Sequence, residues 1–379
     1  MSPKVDKSSG KFFYQQFADI LRKQVQSGQF KPGEPIPSER ILSKEHGINR
    51  ITLRRGIAQL IREGFLYSVP GTGTFVSDAE GLQKAHALSS MKRRSGRKNI
   101  ACVLRRLNPT SQSPILSPYY VGIFSTMQKE ALRMGCTLSF NFVTSVKDER
   151  DIARWASENN VDGIIVIGGL DRTTVLSLYD KKFPLVLVDN EISKPAIDSV
   201  IPDNRLGGYL AVKHLTDLGH KRIAMIRAPL QDQPASIGRL EGYKAALQEA
   251  GIKYDDGLVI EAYYMVEEGY KAMEKILKKS PLPTAVFAIN DEAAMGAMKA
   301  IRDKSGLSVP RDISIVGFDN IEWAALSTPP LTTVNVPKEE MGSIALKKLI
   351  DRIEGRINIA TKEVIPVDLV VRESSAKPK

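Results

Sequence analysis

From Asn99 onward, short β-branched runs alternate with amphipathic segments of helical length, and no other feature of this 379-residue chain limits its fold so strongly. A first set reads IACVL, YVGIFSTMQKEALRMG, TLSFNFV, ERDIARWASENN, GIIVIGG, TTVLSLYDKK and PLVLVD. A second set is expected to begin at SVIPDN and to run on through RLGGYLAVKHLTDLGH, RIAMIRA, SIGRLEGYKAALQEAG, LVIEA, EGYKAMEKILKK, TAVFAIN, EAAMGAMKAIRDK and SIVGFD. Strands separated by helices of this length require βαβ crossovers and parallel sheets. Two such sets predict an α/β body of two parallel-sheet lobes with a cleft between them. Sheets of this kind bind ligands in loops at the carboxyl ends of their strands, where Asp189, Asn290 and Asp319 stand.

The first 98 residues are of another kind. They carry 18 Lys plus Arg against 8 Asp plus Glu, whereas residues 99–379 hold 36 against 35, so nearly all of the +11 net charge sits at the N-terminal end. A compact basic module on a neutral body is the electrostatic footprint of nucleic-acid binding, although by charge alone a membrane-surface arm would look similar. Phe13, Phe17, Ile20, Leu21 and Val25 recur at helical spacing before FKPGEPIP breaks the pattern. A short second helix follows Ser38 as N-cap, with Ile41 and Leu42 expected inside and Gly47 just past its end. A third starts after Asn49 and should bury Leu53, Ile57, Leu60 and Ile61 up to Gly64, presenting Arg50, Thr52, Arg54 and Arg55 on its other face. FLYSV, PGTG and TFVS then read as two strands around a glycine-rich tip, the shape of a wing. A helix, a turn and a second helix with Arg at its start would bring guanidinium groups to guanine edges in the major groove. The expected domains are therefore a winged helix-turn-helix over 1–77, a basic linker over 78–98 and a two-lobed body over 99–379.

Several function classes lack their signatures. There is no GxGxxG between a strand and a helix, no GxxxxGK[ST], HExxH or GxSxG, and the two cysteines, Cys102 and Cys136, form no CxxC or Cys/His cluster. No enzyme activity, cofactor or metal is therefore expected. No apolar run reaches membrane-spanning length and the start lacks the order of a secretory signal, which points to a cytoplasmic protein without membrane contact.

PSERILSKEHGINRITLRRGIAQLIREGFLYSVPGTGTFV resembles the GntR family of bacterial winged-helix regulators. The resemblance implies DNA contacts from Arg40, Arg50, Thr52 and Arg54, and an approach to the minor groove by the wing-tip residues Gly71 and Gly73. The chain departs from the family at Asn49, where Ser or Thr is usual, at Gly56, where Ala is usual, and at Pro70. The rest of the chain is similar to the effector domain of the LacI/GalR repressors and to periplasmic sugar-binding proteins. The stretches that carry this are SPYYVGIFSTMQKEALRMG, VDGIIVIGG, SVIPDNRLGGYLAVKHLTDLGHKRIAMI, FAINDEAAMGAMKAI, VPRDISIVGFDN and TPPLTTVNVP. In architecture the chain resembles arabinose-responsive repressors. The resemblance implies a homodimer on a palindromic operator, controlled by a small sugar lined by Arg239, Asn290 and Asp319, with Asp189 as a further lining position.

The residue chemistry suits a sugar. Carboxylates and amides exchange hydrogen bonds with hydroxyl groups, Arg239 adds a forked donor, and Tyr119, Tyr120, Tyr263 and Tyr264 offer rings to cover an apolar sugar face. Asp319 and Arg239 are expected to reach the ligand from opposite sides of the cleft; a structural ion pair between them is the plainer alternative. Asp203 and Asp291 serve equally well as helix caps, and His214 and His220 read as structural. A ligand-responsive repressor is the leading function and a sugar-binding transport component the alternative.

Overall fold

The structure, a computed structural model, describes residues 12–62, 65–69, 73–78, 97–105, 117–143, 146–192, 194–229 and 234–379. It divides into two units, Met1–Arg97 and Lys98–Lys379.

In the first unit, α1 (Phe13–Gln26), α2 (Glu39–His46) and α3 (Arg50–Arg62) precede a hairpin of β1 (Leu66–Val69) and β2 (Gly73–Val76). Phe17, Leu21, Leu42, Leu53, Ile57, Leu60 and Leu66 form one core with Val76. Ile41 and Ile61 are exposed instead of buried. On so short a helix as α2 the inner face is used up by Leu42 and His46, one turn apart, and the His46 ring packs edge-on against Phe17 at 5.2 Å. On α3 the stripe Leu53, Ile57, Leu60 already fills the inner face, and Ile61 lies one step around the helix. Gly56 is where α1 and α3 touch: a Cβ there would lie 2.6 Å from the Phe17 ring and 2.9 Å from the Tyr14 carbonyl, which gives the departure from Ala a packing reason.

The second unit holds two six-stranded sheets. The first runs β13-β7-β6-β5-β3-β4, built from β3 (Asn99–Arg105), β4 (Thr137–Val143), β5 (Gly163–Ile167), β6 (Leu185–Val188), β7 (Asp198–Pro202) and β13 (Lys362–Ile365), all parallel. The second runs β14-β12-β11-β10-β8-β9, from β8 (Ile223–Arg227), β9 (Val259–Glu261), β10 (Ala285–Ala288), β11 (Ser314–Asp319), β12 (Thr332–Asn335) and β14 (Asp368–Val370), with only β14 antiparallel. The inner strands β5, β6, β10 and β11 are buried at every position, as sheets covered by helices on both faces require.

SVIPDN does not open the second lobe. Its strand β7 hydrogen-bonds with β6 and closes the first sheet, and the crossing to the second lobe comes just after it, at α7 (Asn204–Asp217). An all-buried strand looks alike in either sheet, so local pattern could not assign it. The chain crosses back after β12 into α12 (Lys338–Ile353), which packs on β5, β6, β7 and on α4 (Pro118–Arg133), and crosses a third time between β13 and β14. Three crossings tie the two lobes into a hinge.

Candidate functional site

In the first unit, Gly47 closes α2 in a left-handed turn and the Ser43 hydroxyl donates to the Ile48 carbonyl at 2.6 Å, so the corner before α3 is tight. The Asn49 side chain caps α3 by accepting from the Thr52 amide at 2.8 Å. Arg40, Arg50, Arg54 and Arg55 are exposed and Thr52 is half-buried. The wing pairs from Leu66 with Val76 to Val69 with Gly73, its Tyr67 and Phe75 rings stacked at 5.5 Å, and residues 33–36 bond along its outer edge. Gly73 lies at the exposed end of this ladder; Gly71 falls outside the described residues, as do Gly64, Pro70 and linker residues 79–96.

In the second unit, both sheets share an order in which the first strand of each lobe, β3 or β8, lies between its second and third, and such reversals are where open sheets bind ligands. Asp189 follows β6, Asn290 follows β10 and Asp319 ends β11. Asp189, Asp319 and Asn320 hold left-handed backbone conformations with φ of 54°, 107° and 51°, strain of the kind that collects at functional sites. α4 (Pro118–Arg133) brings Tyr119 and Tyr120 to the same place, and Tyr264 comes from the second lobe. An open cleft of about 420 Å³ between the lobes is lined by Asp189 and Asn190, by Asn204, Arg205 and Gly238, and by Lys362; of the expected ligand contacts, its lining includes Asp189 but not Tyr120, Arg239, Asn290 or Asp319.

The Tyr120 hydroxyl donates to Asp189 Oδ2 at 3.2 Å, while Asp189 Oδ1 is buried with no hydrogen-bond partner. Burial pushes the Asp189 carboxyl up to about 6 despite the nearby Arg239 charge and the Tyr120 hydrogen bond. Burial also holds Asp319 well above the usual carboxylate range, with Arg239 pulling against it, and pushes Tyr264 up to about 12.

Arg239 and Asp319 do not face one another from opposite lobes. Both belong to the second, Arg239 on α8 (Pro234–Glu249) and Asp319 at the end of β11, with Nη2 and Oδ1 3.8 Å apart. α8 lies so close to α7 that a Cβ at Gly208 would come within 2.3 Å of the Arg239 carbonyl. Arg239 is buried, donates from Nε to Asn204 Oδ1 at 2.9 Å and from Nη1 to the Ile289 carbonyl, and its guanidinium stacks 3.6 Å over Phe318. Much of it is therefore structural, which agrees with the ion-pair alternative. Asn290 caps α10 (Asp291–Lys304) by accepting from the Ala293 amide at 2.9 Å, and donates to the Tyr264 carbonyl at 3.2 Å. Asp203 caps α7 by accepting from the Leu206 amide, and Asp291 accepts from Thr333 and from the Ile321 amide. Burial pushes Asp291 up to about 7. His214 and His220 hold the C-terminal segment, through Ser375 and Ala376. Tyr263 is mostly exposed.

Sequence reasoning missed three groups. The Ser117 hydroxyl, at the start of α4, donates across the cleft to Glu292 Oε2 of the second lobe at 2.8 Å. Lys338, opening α12, donates to the carbonyls of Val336 and Asn320 at 3.0 and 3.2 Å and to that of Asp319. Glu39 pairs with Arg54. None of these lies in a periodic pattern; only the place of Glu292 two residues after Asn290 could have suggested it. Among the described residues, no group of His, Cys, Asp and Glu could hold a metal, and no helix is long and apolar enough to cross a membrane.

Residues 13–76 match the family described as bacterial regulatory proteins, gntR family, and residues 212–375 match the periplasmic binding protein-like domain. The HTH-type transcriptional repressor PurR of Salmonella arizonae is 34% identical over 262 residues, covering 68% of this chain and 76% of the relative. The chain belongs to the LacI family of transcriptional regulators, with a GntR-type head. A solved CelR-cellobiose complex superposes with a TM-score of 0.68 at 28% identity, covering 89% of this chain and all of that one. CcpA of Lactococcus lactis gives 0.67 at 29%, and a dimeric Lac repressor 0.65 at 26%, each over 74% of this chain and all of the other. As a member of this family the protein is a DNA-binding transcriptional regulator and not an enzyme, and nothing supports the transport alternative.

Proposed function

We propose that the chain represses carbohydrate-utilisation genes and that a small sugar held between its two lobes sets its affinity for the operator. The observation that carries this is Asp189. Its Oδ1 is buried without a partner beside tyrosines of both lobes. A buried polar atom left unsatisfied calls for a hydrogen-bond donor from outside the protein, and a sugar hydroxyl supplies one. Tyr120, Asp189, Asn290, Asp319 and the Nη2 side of Arg239 line this site in the proposal. The complex of CelR with cellobiose supports a carbohydrate, and the resemblance to arabinose-responsive repressors puts a pentose among the first sugars to test.

On the DNA side, Arg40, Arg50, Thr52 and Arg54 act in the major groove and Gly71 and Gly73 at the minor groove, within a head over 1–77 joined by a linker over 78–98 to a body over 99–379. The regulator acts in the cytoplasm as a homodimer. A two-fold dimer requires a palindromic operator, and the dimeric state of the Lac repressor neighbour supports this assembly. Because the two sites are linked, a sugar that prefers one closure state must change operator affinity, and DNA must change sugar affinity by the same factor. The test is a thermal-shift screen of sugars, since a ligand that binds the native state raises its stability, followed by gel shifts with each hit. A sugar that binds without turnover and changes operator affinity supports the reading; a binding sugar with no effect on DNA overturns it.

A further inference from the structure

The GntR-type head contains a contact for which the resemblance gives no role. Glu39 is the first residue of α2 and Arg54 lies one turn into α3, yet Arg54 Nε donates to both carboxylate oxygens of Glu39, at 3.0 and 2.9 Å. Two-thirds of the Arg54 side chain and over a third of that of Glu39 are exposed, so the pair adds little to stability. Its effect is on direction. A carboxylate on Nε occupies one edge of the planar guanidinium, and among the described residues Nη1 and Nη2 have no partner. With Nε occupied, that free edge is the one left to pair in bidentate fashion with guanine O6 and N7.

We propose that Glu39 is a positioning residue for base readout, holding Arg54 with its Nη1–Nη2 edge presented to a guanine; this rests on the reading of Arg54 as a base contact. A flexible arginine must lose rotamer freedom on docking, and one held in advance loses less. The opposite effect of Glu39 is a charge penalty, because a carboxylate at the DNA surface repels phosphates. The two effects separate cleanly. Positioning acts only on a sequence that offers guanine, whereas repulsion acts on any duplex.

The experiment uses the full chain, with a duplex selected by binding from a random pool as operator and a scrambled duplex as control, at one salt concentration. Glu39→Ala and Glu39→Gln should bind the scrambled duplex more tightly, by roughly two- to fivefold for the lost charge. The operator-to-scrambled affinity ratio should fall about tenfold in Glu39→Ala, with less loss in Glu39→Gln, whose amide oxygen still accepts from Nε. In an Arg54→Ala background, Glu39→Ala should leave the ratio unchanged. An unchanged ratio in Glu39→Ala overturns the proposal. So does an equal fall in the Arg54→Ala background, which would make Glu39 a direct reader of cytosine. If Arg54→Ala itself leaves the ratio intact, the base-contact reading of Arg54 fails, whatever Glu39 does.

Discussion

Replacing Asp189 by Asn should stabilise the ligand-free protein at neutral pH while weakening its hold on the sugar. The folded state raises this carboxyl from 3.8 to about 6. It therefore binds the proton more tightly than the unfolded chain does, and its contribution to stability is full below pH 4 and is lost as pH rises through the interval from about 4 to 6. Two units at about 1.4 kcal/mol each make the ionised form cost roughly 3 kcal/mol above pH 6. Asn carries no such penalty, and its oxygen still accepts from Tyr120, but its amide group then occupies the buried spot of the unpartnered Oδ1. An unsatisfied amide there returns about 1 to 2 kcal/mol of the gain. The net is a stabilisation of about 1 to 2 kcal/mol, or roughly 2 to 6 °C in Tm for a unit of this size. Scanning calorimetry without ligand, at pH 4 and pH 7.5, should show the gain only at the higher pH. Sugar affinity should fall about tenfold or more, because a hydrogen bond to a charged acceptor is lost. A lower Tm at pH 7.5, or an equal gain at both pH values, would refute the reasoning.

In the head, Arg50→Ala should cost about 1 to 3 kcal/mol on the operator and much less on random duplex, and binding by the intact protein should weaken steeply with added salt; equal losses on both duplexes would assign Arg50 to phosphate instead. Gly56→Ala gains about 1 kcal/mol of helix propensity but must push the Tyr14 carbonyl aside from 2.9 Å, so the melting of the head, followed by circular dichroism on the full chain, should come at a lower temperature; a rise would show that α1 shifts freely. Ser117→Ala removes the hydrogen bond across the cleft and leaves the half-buried Glu292 carboxylate without its donor. About 1 kcal/mol should move toward the open form, seen as a larger radius of gyration in small-angle scattering and a several-fold weaker sugar affinity by calorimetry.

The two-lobed fold was legible because alternating strands and helices admit few topologies, and the head was legible because Gly47, Asn49 and the leucine stripe of α3 each obey a local rule. Asp189, Asn290 and Asp319 were legible as candidates because residues just past parallel strands meet at one end of a sheet. The opposite sides expected for Arg239 and Asp319 ran against the chain order itself, since SIGRLEGYKAALQEAG and SIVGFD both fall in the second set. The crossing point was not legible, because SVIPDN looks the same as the last strand of one sheet or the first of the next. Ile41 and Ile61 failed for a related reason: helical spacing identifies a face, but the width of that face is set by the neighbour packed against it. The Ser117–Glu292 bond joins residues 175 positions apart, and no periodicity reports such a meeting.

In the proposed reading, a sugar between the lobes acts on the hinge through Asp319 and Lys338. In the proposed site Asp319 offers its carboxylate to the ligand, while its carbonyl, with that of Asn320, accepts from Lys338. Lys338 opens α12, which packs against three strands of the first sheet and against α4, whose N-terminal end brings Ser117, Tyr119 and Tyr120 back to the cleft. The pocket and this crossing are thus one connected set of contacts. Burial lowers the Lys338 ammonium while the Asp319 carboxylate raises it, so the charge of Asp319 and the hold of Lys338 on the strand end depend on each other. In the proposed site a ligand hydroxyl that donates to Asp319 favours its ionised form, which attracts the nearby Lys338 ammonium that holds the carbonyls. On the proposed reading, a sugar that donates to Asp319 as it joins the lobes prefers the closed state, and such a preference is the differential affinity that linkage to DNA requires.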